Sequence, residues 1–202
     1  LIHDDVVDDA DYRRGLFSIK GLWKNKMAVL TGDFILSRGM LLALESKEYD
    51  MLDVVSKAVR KMSEGELLQL ERSRRLNLDE SVYEQIIKEK TASLIAACCE
   101  MGALSGGATL EERSSMWTMG EHIGMAFQIK DDILDFSSAS TGKIKAGDIK
   151  EQKLSLPFIH VINKSSLAKR RKLINIIKKD YNNKTKVDWL INTVYDEGGC
   201  DY

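Results

Sequence analysis

The sequence predicts an all-α protein built from long helices. Apolar residues recur at intervals of three and four, the spacing of one face of a helix, and segments with strand-like alternation are scarce. Only one proline, Pro157, occurs in 202 residues, so few positions interrupt a helix. A chain of this length can bury one sizeable core, and we therefore expect a single domain over residues 1–202.

From the first residue onwards, the apolar spacing predicts helices over residues 1–11, 23–46, 50–75, 80–105, 109–136, 154–164, 166–181 and 186–196. Glycine marks the breaks after the first and fourth helices, at Gly15 and Gly107. Thr109, with Glu112 three residues later, has the pattern of a capping box and marks the start of the fifth helix. The polar run over residues 137–153 is the longest predicted loop and the most basic.

The composition excludes several classes of protein. A formal net charge of −1 gives no strong overall attraction to nucleic acid or anionic lipid. Three cysteines do not form a disulfide framework, and with no recognisable signal peptide they favour the cytoplasm. Charged residues interrupt the apolar stretches before the ~20 residues that span a bilayer, so no transmembrane segment is expected.

Two aspartate clusters share the pattern D-D-x-x-D within apolar sequence. The first, in "LIHDDVVDDADYRRG", comprises Asp4, Asp5 and Asp8. The second, in "FQIKDDILDF", comprises Asp131, Asp132 and Asp135. Carboxylates four apart on a helix are neighbours and repel each other, which a bound cation would relieve. Mg²⁺ prefers such oxygen ligands and is usually held by one or two carboxylates together with substrate phosphates. Either cluster alone could instead be a solvated acidic face.

Cationic residues follow each cluster. Arg13 and Arg14 come directly after the first, and guanidinium groups match phosphate oxygens bidentately. The loop after the second cluster contributes Lys143, Lys145, Lys150 and Lys153. Diphosphate is the natural ligand for such a combination of metal-binding carboxylates and cations. The arginines could also simply offset the aspartates, and the lysines could be ordinary exposed surface.

Small residues lie below the charged groups on two predicted helices. Gly120 and Gly124 precede Gln128 and Asp131 on one face, and a second helix carries Ala96, Ala97 and Cys98 below Lys90 and Thr91. Glycine inside a helix costs about 1 kcal/mol relative to alanine, so it indicates either close helix packing or a cavity. If the faces bordered a cavity, an apolar channel would end at the charged groups and fit an apolar tail with a diphosphate head.

These residues together resemble the trans-isoprenyl diphosphate synthases, or polyprenyl synthetases. The first motif of that family is similar to "LIHDDVVDDADYRRG", a middle segment to "NKMAVLTGDFIL", and the second motif to "GMAFQIKDDILD" followed by "TGKIKAGDIKEQKLSLP". "EGELLQ" and "KTA" also occur in the expected order. The resemblance covers residues 1 to about 160 and continues more weakly to "EGGCDY".

The resemblance implies an isoprenoid synthase fold, a homodimeric bundle around a central cavity. There a Mg²⁺-dependent prenyltransferase would join isopentenyl diphosphate to an allylic diphosphate. By the match to the family's motifs, Asp4, Asp5 and Asp8 would hold two Mg²⁺ ions. Asp131, helped by Asp132 and Asp135, would hold a third. Arg13 would contact the allylic diphosphate and Arg14 that of isopentenyl diphosphate. The remaining diphosphate-binding and catalytic positions are Lys90, Thr91, Gln128, Lys143 and Lys153.

The chain resembles an internal fragment of that fold. Leu1 and Ile2 lead into a predicted helix with no capping residue before it. An upstream Gly-Lys-x-x-Arg segment that binds isopentenyl diphosphate in the family has no match here, and Phe17 stands where proline usually follows the arginine pair. We therefore expect N-terminal helices and the C-terminal end to be missing. The sequence says little about the chain length of the polyprenyl product, because the residues that limit this length in the family would precede Leu1.

Two other functions remain open at this point. A class I terpene cyclase would ionise a prenyl diphosphate and cyclise it, although such enzymes usually pair one aspartate motif with an Asn/Ser/Glu motif. A non-catalytic subunit of a heteromeric prenyl synthase would be expected to carry degraded motifs, and both are intact. None of the three histidines follows a glutamate by three residues, which argues against a di-iron carboxylate bundle.

Overall fold

The structure, a computed structural model, describes residues 2–13, 15–75, 79–137 and 155–202. The described residues are almost entirely helical, which confirms the predicted all-α class. The chain divides into two compact units, residues 1–53 and 54–202.

The first unit begins with a shorter helix than the spacing predicts. Its elements are α1 (Ile2–Val7), β1 (Tyr12–Arg13), β2 (Leu16–Phe17) and α2 (Ile19–Glu45). The predicted helix over residues 1–11 is therefore wrong beyond Val7. Asp9 has a φ of 53°, in the left-handed region, which ends the helix. A two-stranded antiparallel hairpin follows, in which Tyr12 pairs with Phe17.

Lys20 ties the segment after α1 to the start of α2. Its buried ammonium lies 2.7 Å from the Asp9 carboxylate and 2.9 Å from that of Asp11, and it donates to the Asp9 carbonyl. These hydrogen bonds raise the pKa of Lys20, and the bond from Lys20 lowers the pKa of Asp11. Ser18 caps α2 by accepting from the Gly21 amide at 2.9 Å. Asp9 therefore has a structural role, because it holds the start of α2 through Lys20.

The long helix α2 exposes most of its apolar side chains. The helix is kinked at Lys24, which has a φ of 68°. Among the described helices, α2 alone is long and apolar enough to cross a membrane by length and composition, with a mean hydropathy of 1.5 in its most apolar window. Only 6% of that window is buried. Asp33 and Arg38 interrupt the apolar sequence of this helix.

The second unit is a group of helices. These are α3 (Tyr49–Arg75), α4 (Glu80–Ile87), a π-helical turn (Lys88–Ala92), α5 (Ser93–Ser105), α6 (Leu110–Ser137), α7 (Leu156–Lys164), α8 (Leu167–Lys179) and α9 (Lys184–Asp196). The first residues of α3 precede the boundary between the units. The predicted boundaries agree to within about three residues. The exception is the predicted helix 80–105, which is interrupted by the π-helical turn.

The larger core of the second unit joins α4, α6, α7, α8 and α9. Its largest fully buried side chains are those of Phe158, Ile159, Ile162, Leu173, Ile177 and Leu190. A smaller cluster packs α3 against α5 through Val54, Ala58 and Ala97. Burial of these side chains is the main favourable term that holds the helices together.

The small residues of α5 and α6 serve close helix packing. A Cβ atom at Gly124 would lie 2.4 Å from the Ala92 Cα, and one at Gly120 would lie 2.7 Å from the Ala96 Cα. Such distances leave no room for a side chain. At Gly120 and Gly124 the close-packing alternative is therefore correct, because the two glycines contact Ala96 and Ala92.

Candidate active site

The first aspartate cluster lies at the end of α1. The Asp8 amide donates to the Asp4 carbonyl at 2.8 Å, so these two residues stand one helical turn apart, and both side chains are half-buried. His3 packs α1 against α2, with its Nε2 atom 3.1 Å from the Asp33 carboxylate. The ring occupies the space that a side chain at Gly32 would need. The small residue on α2 therefore fixes where the cluster sits on that helix.

Asp5 differs from Asp4 and Asp8 in burial and in partner. Only 5% of it is exposed, and its Oδ1 atom accepts a hydrogen bond from the Arg13 Nε atom at 2.7 Å. A terminal nitrogen of the same guanidinium forms an ion pair with that oxygen, also at 2.7 Å. The hairpin of β1 and β2 brings Arg13 back to α1. A guanidinium thus lies directly beside the aspartate cluster.

The second cluster is part of a buried network on α6. The Asp132 carboxylate accepts hydrogen bonds from the Tyr83 hydroxyl at 2.7 Å, from the Gln128 amide at 3.1 Å and from the Leu156 backbone amide at 3.1 Å. It is 5% exposed. Asp131, its neighbour, is exposed. Asp132 therefore connects α4, α6 and α7, while Asp131 is accessible to a ligand.

Lys90 and Thr91 lie in the π-helical turn. Turns of this kind are rare and occur frequently at functional sites, because they shift side chains off the regular helical face. The Thr91 hydroxyl donates to the Gln128 side-chain oxygen at 2.9 Å, which joins the turn to the Asp132 network. The Lys90 ammonium lies 2.5 Å from Glu66 and 3.4 Å from the Gln69 oxygen on α3.

Gly65 allows α3 to approach this turn. A Cβ atom there would lie 2.7 Å from the Lys90 backbone nitrogen. Because α3 comes this close, Glu66 reaches the Lys90 ammonium and holds it in place. The segment "EGELLQ", which the sequence analysis placed only by its order, thus contributes the two residues that hold Lys90.

Several predicted site residues lie outside the described part of the chain. These are Arg14, Lys143 and Lys153, together with the side chain of Asp135. Within the described residues, no group of three His, Cys, Asp or Glu side chains comes together as a metal site. The predicted roles of these residues stay predictions.

Three residues of the site were not predicted from sequence as participants. Tyr83 lies 49 positions from its partner Asp132, so no local pattern connects them. Glu66 and Gln69 belong to a segment whose charge pattern is that of an ordinary exposed helix. A lysine opposite two polar residues becomes recognisable only once α3 and the π-helical turn are placed together.

Comparison with known proteins agrees with this arrangement. The family model described as polyprenyl synthetase matches residues 1–194. The chain belongs to the polyprenyl synthetase family. The resemblance inferred from the two aspartate motifs is thereby confirmed.

Individual relatives support the assignment. The chain is 35% identical over 177 residues to heptaprenyl diphosphate synthase component 2 of Bacillus subtilis, an alignment with 87% of this chain and 51% of that protein. Among solved structures, it is similar to a decaprenyl diphosphate synthase from Rhodobacter capsulatus (TM-score 0.91, 32% identity) and to a polyprenyl synthase from Caulobacter crescentus CB15 complexed with calcium and isoprenyl diphosphate (0.87, 34%). Each alignment covers 99% of this chain and 62% of the other. This polyprenyl synthetase chain therefore spans about half the length of the Bacillus subtilis protein and about three fifths of the two solved chains.

Proposed function

We propose that this chain is part of a trans-prenyltransferase that condenses isopentenyl diphosphate with an allylic diphosphate to give an all-trans polyprenyl diphosphate. The observation that carries the proposal is the pairing of each aspartate cluster with a diphosphate-binding group. In the first unit Arg13 is bonded to Asp5, and in the second Gln128 bridges Thr91 and Asp132. The family match and the printed names of the relatives support the same reaction.

The carboxylates fit divalent metal ions such as Mg²⁺. Asp4 and Asp8 are half-buried one helical turn apart, and Asp131 is exposed on α6, so hard oxygen donors are accessible in both units. The first cluster would hold two ions. Asp131, with Asp132 and Asp135, would hold a third ion. When bound, the ions would neutralise charge that develops on the leaving diphosphate.

The chain's own residues would bind and orient the substrates. Arg13 and Arg14 would hold the two diphosphates through bidentate hydrogen bonds, and Lys90 would add a point charge. Such groups, held ready before the allylic C–O bond breaks, stabilise the charge that develops on the diphosphate. Glu66 keeps Lys90 in position. Lys143 and Lys153 would complete the binding of diphosphate.

The second step needs no base from the protein. After the C–O bond breaks, the double bond of isopentenyl diphosphate forms a new C–C bond with the allylic carbon, and the released diphosphate accepts the proton that is lost. Thr91, which donates to the Gln128 side-chain oxygen at 2.9 Å, would border the allylic cation with a neutral oxygen. An apolar surrounding would protect this cation from water.

We also propose that the protein acts in the cytoplasm as a homodimer joined through α2. The exposed apolar residues of α2 that share one face after the kink at Lys24 are Met27, Leu30, Phe34 and Leu41, each between 46% and 63% exposed. An apolar stripe of this length usually marks a protein interface. A second copy of the same helix would cover it.

The test is a prenyl transfer assay with the full-length protein that contains this chain. Labelled isopentenyl diphosphate is incubated with allylic diphosphates of increasing chain length, with Mg²⁺ or with a chelator, and the products are sized. We expect Mg²⁺-dependent elongation to a polyprenyl diphosphate. No elongation by a folded protein that still binds diphosphate would contradict the proposal and favour a cyclase or a non-catalytic subunit.

Two variants test the metal ligands. Asp4→Ala and Asp131→Ala should each lower kcat by about 10²-fold or more, because each removes an oxygen that helps to stabilise the leaving group. Asp196→Ala, which removes an exposed carboxylate on α9, is the matched control and should retain the parent's rate. Parent-like turnover by either cluster variant would show that the site is assigned wrongly.

A further inference from the structure

Helix α8 carries an unusual concentration of positive charge. Six of its 13 residues are Lys or Arg and none is Asp or Glu, although the whole chain has a formal net charge of −1. The basic residues are Lys169, Arg170, Arg171, Lys172, Lys178 and Lys179. The opposite face, with Leu173, Ile176 and Ile177, is buried in the larger core. The charge therefore lies on a surface that the fold holds in place.

Most of this charge is not neutralised within the protein. Lys169 is paired with Glu197, and the Lys172 ammonium lies over the Trp189 ring at 3.8 Å. Within the described ranges, Arg171, Lys178 and Lys179 form no ion pair, and all three are exposed. Arg171 and Lys178 are two helical turns apart and lie on the same outward side. Exposed cations in such a row attract a surface that carries many negative charges.

A groove of about 650 Å³ lies between α8 and α9, beside Arg171. Its polar lining includes Arg171, Lys172 and Lys186, and the Trp189 ring and Ile176 supply apolar surface. The one carboxylate in the lining, Asp180, is 2.7 Å from Lys186. The groove thus offers cations above an apolar floor, which suits the phosphate and adjoining glycerol of a lipid headgroup better than a fully hydrated anion.

We propose that the basic face of α8 and this groove dock the protein on an anionic phospholipid membrane. Each Lys or Arg near an anionic bilayer strengthens binding, and the attraction falls off within a Debye length. Leu167, at the start of the helix, is 75% exposed and adds an apolar contact. One supporting point rests on the proposed function: a long polyprenyl diphosphate is an amphiphile with little solubility in water. A membrane-facing surface would let the product leave directly into lipid.

Vesicle co-sedimentation without substrates tests this docking independently of catalysis. The full-length protein is mixed with phosphatidylcholine vesicles, alone or with about one third phosphatidylglycerol, at low and high salt. We expect binding to the anionic vesicles only, and its loss at high salt. Equal binding to both vesicle types, or no binding at low salt, would overturn the proposal, whatever the prenyl transfer assay gives.

A double variant identifies the surface. Arg171→Gln with Lys178→Gln should reduce the partition coefficient on anionic vesicles by about thirtyfold, since two attractive charges are removed. Lys47→Gln with Arg60→Gln, which removes two exposed cations elsewhere, should change it less than about threefold. Circular dichroism checks that both variants fold, and the salt dependence of the parent remains decisive if one does not. Equal loss in the two double variants would overturn the assignment to α8.

Nucleic acid is the other polyanion that this surface could attract. A parallel titration with short duplex RNA at the same salt separates the two. If the Arg171/Lys178 variant lost affinity for RNA while its vesicle binding was unchanged, the membrane proposal would be wrong. Loss of vesicle binding with no measurable RNA affinity in the parent would support it.

Discussion

At the scale of single residues, the two aspartate motifs have the same internal division of roles. In each adjacent pair the second aspartate is buried, Asp5 beside Arg13 and Asp132 beside Tyr83. The first of each pair, Asp4 or Asp131, is more exposed. A buried carboxylate is tolerated only when it accepts hydrogen bonds, so the second aspartate depends on its protein partners. The first aspartate of each pair is the one with more side-chain surface exposed to solvent.

Removing the Tyr83 hydroxyl should expose this dependence. In Tyr83→Phe the Asp132 carboxylate loses a 2.7 Å hydrogen bond in a buried site, and we expect the free energy of unfolding to fall by about 1–2 kcal/mol. Chemical denaturation measures the change. Tyr195→Phe, at an exposed position on α9, is the control and should have no measurable effect. Equal stability of the two variants would mean that the Tyr83 hydroxyl does not support Asp132.

His160 should make the stability depend on pH near neutrality. Burial, with Lys164 nearby, lowers the pKa of His160 below its usual value of 6.5, against an opposing effect of Glu80, while its ring stacks on Tyr202. The unfolded chain then binds more protons than the folded one, so stability falls as pH drops through about 6.5. We expect a lower unfolding midpoint at about pH 5.5 than at about pH 7.5.

Two variants separate this effect from other titrations. His160→Phe should flatten the pH dependence in that window, whereas His122→Gln, at an exposed position, should leave it unchanged. Asp11 and Glu112, whose pKa values are lowered by hydrogen bonds, contribute stability that is lost only at more acidic pH. A parent protein with the same midpoint at both pH values would contradict the role given to His160.

At the scale of helices, the contact between α6 and the segment Lys88 to Ser105 determines where Thr91 and Gln128 meet. Gly124 faces Ala92 in the π-helical turn, and Gly120 faces Ala96 on α5. These contacts place Gln128, one turn further along α6, at 2.9 Å from the Thr91 hydroxyl. The glycines therefore contribute to the site through helix packing.

A single methyl group at this contact should separate the helices. In Gly124→Ala the new Cβ would lie 2.4 Å from the Ala92 Cα, a backbone atom that cannot move without shifting the turn. We expect a loss of about 1–3 kcal/mol in the free energy of unfolding and a lower kcat. Gly102→Ala on α5 is the matched control, because nothing lies within 4 Å of its Cβ. That control should gain up to about 1 kcal/mol from helix propensity. Similar stabilities for the two variants would contradict the packing role.

The sequence was most informative about elements that repeat over many residues. The helices from α3 to α9 follow from apolar spacing, since a face of three or more turns gives a strong periodic signal. The hairpin at Tyr12–Phe17 was missed because two residues per strand give no alternation to detect. The π-helical turn was missed because one extra residue per turn, here around Lys90, leaves the surrounding periodicity almost unchanged. The glycine stripe predicted a close approach but not whether the neighbour would be a helix or a ligand.

At the scale of the whole molecule, two surfaces of different character lie in different units. The first unit presents the exposed apolar face of α2, and the second presents the basic face of α8. The apolar spacing of α2 alone could not reveal its exposure, because a buried core helix has the same pattern. The charge of α8 was visible in the sequence, but only the structure separates Arg171 and Lys178 from cations that are paired.

The oligomeric state provides the last test of the whole molecule. Phe34, 63% exposed, lies within the apolar face of α2, where a second copy would bury it. We expect the full-length parent to sediment as a dimer and Phe34→Glu to sediment as a monomer, because a charge buried without a partner opposes association. Leu110→Glu, at a position that is 79% exposed at the start of α6, introduces the same charge and should leave the dimer intact. A monomeric parent, or a Phe34→Glu variant that remains dimeric at the same concentration, would show that α2 does not join two copies of this protein.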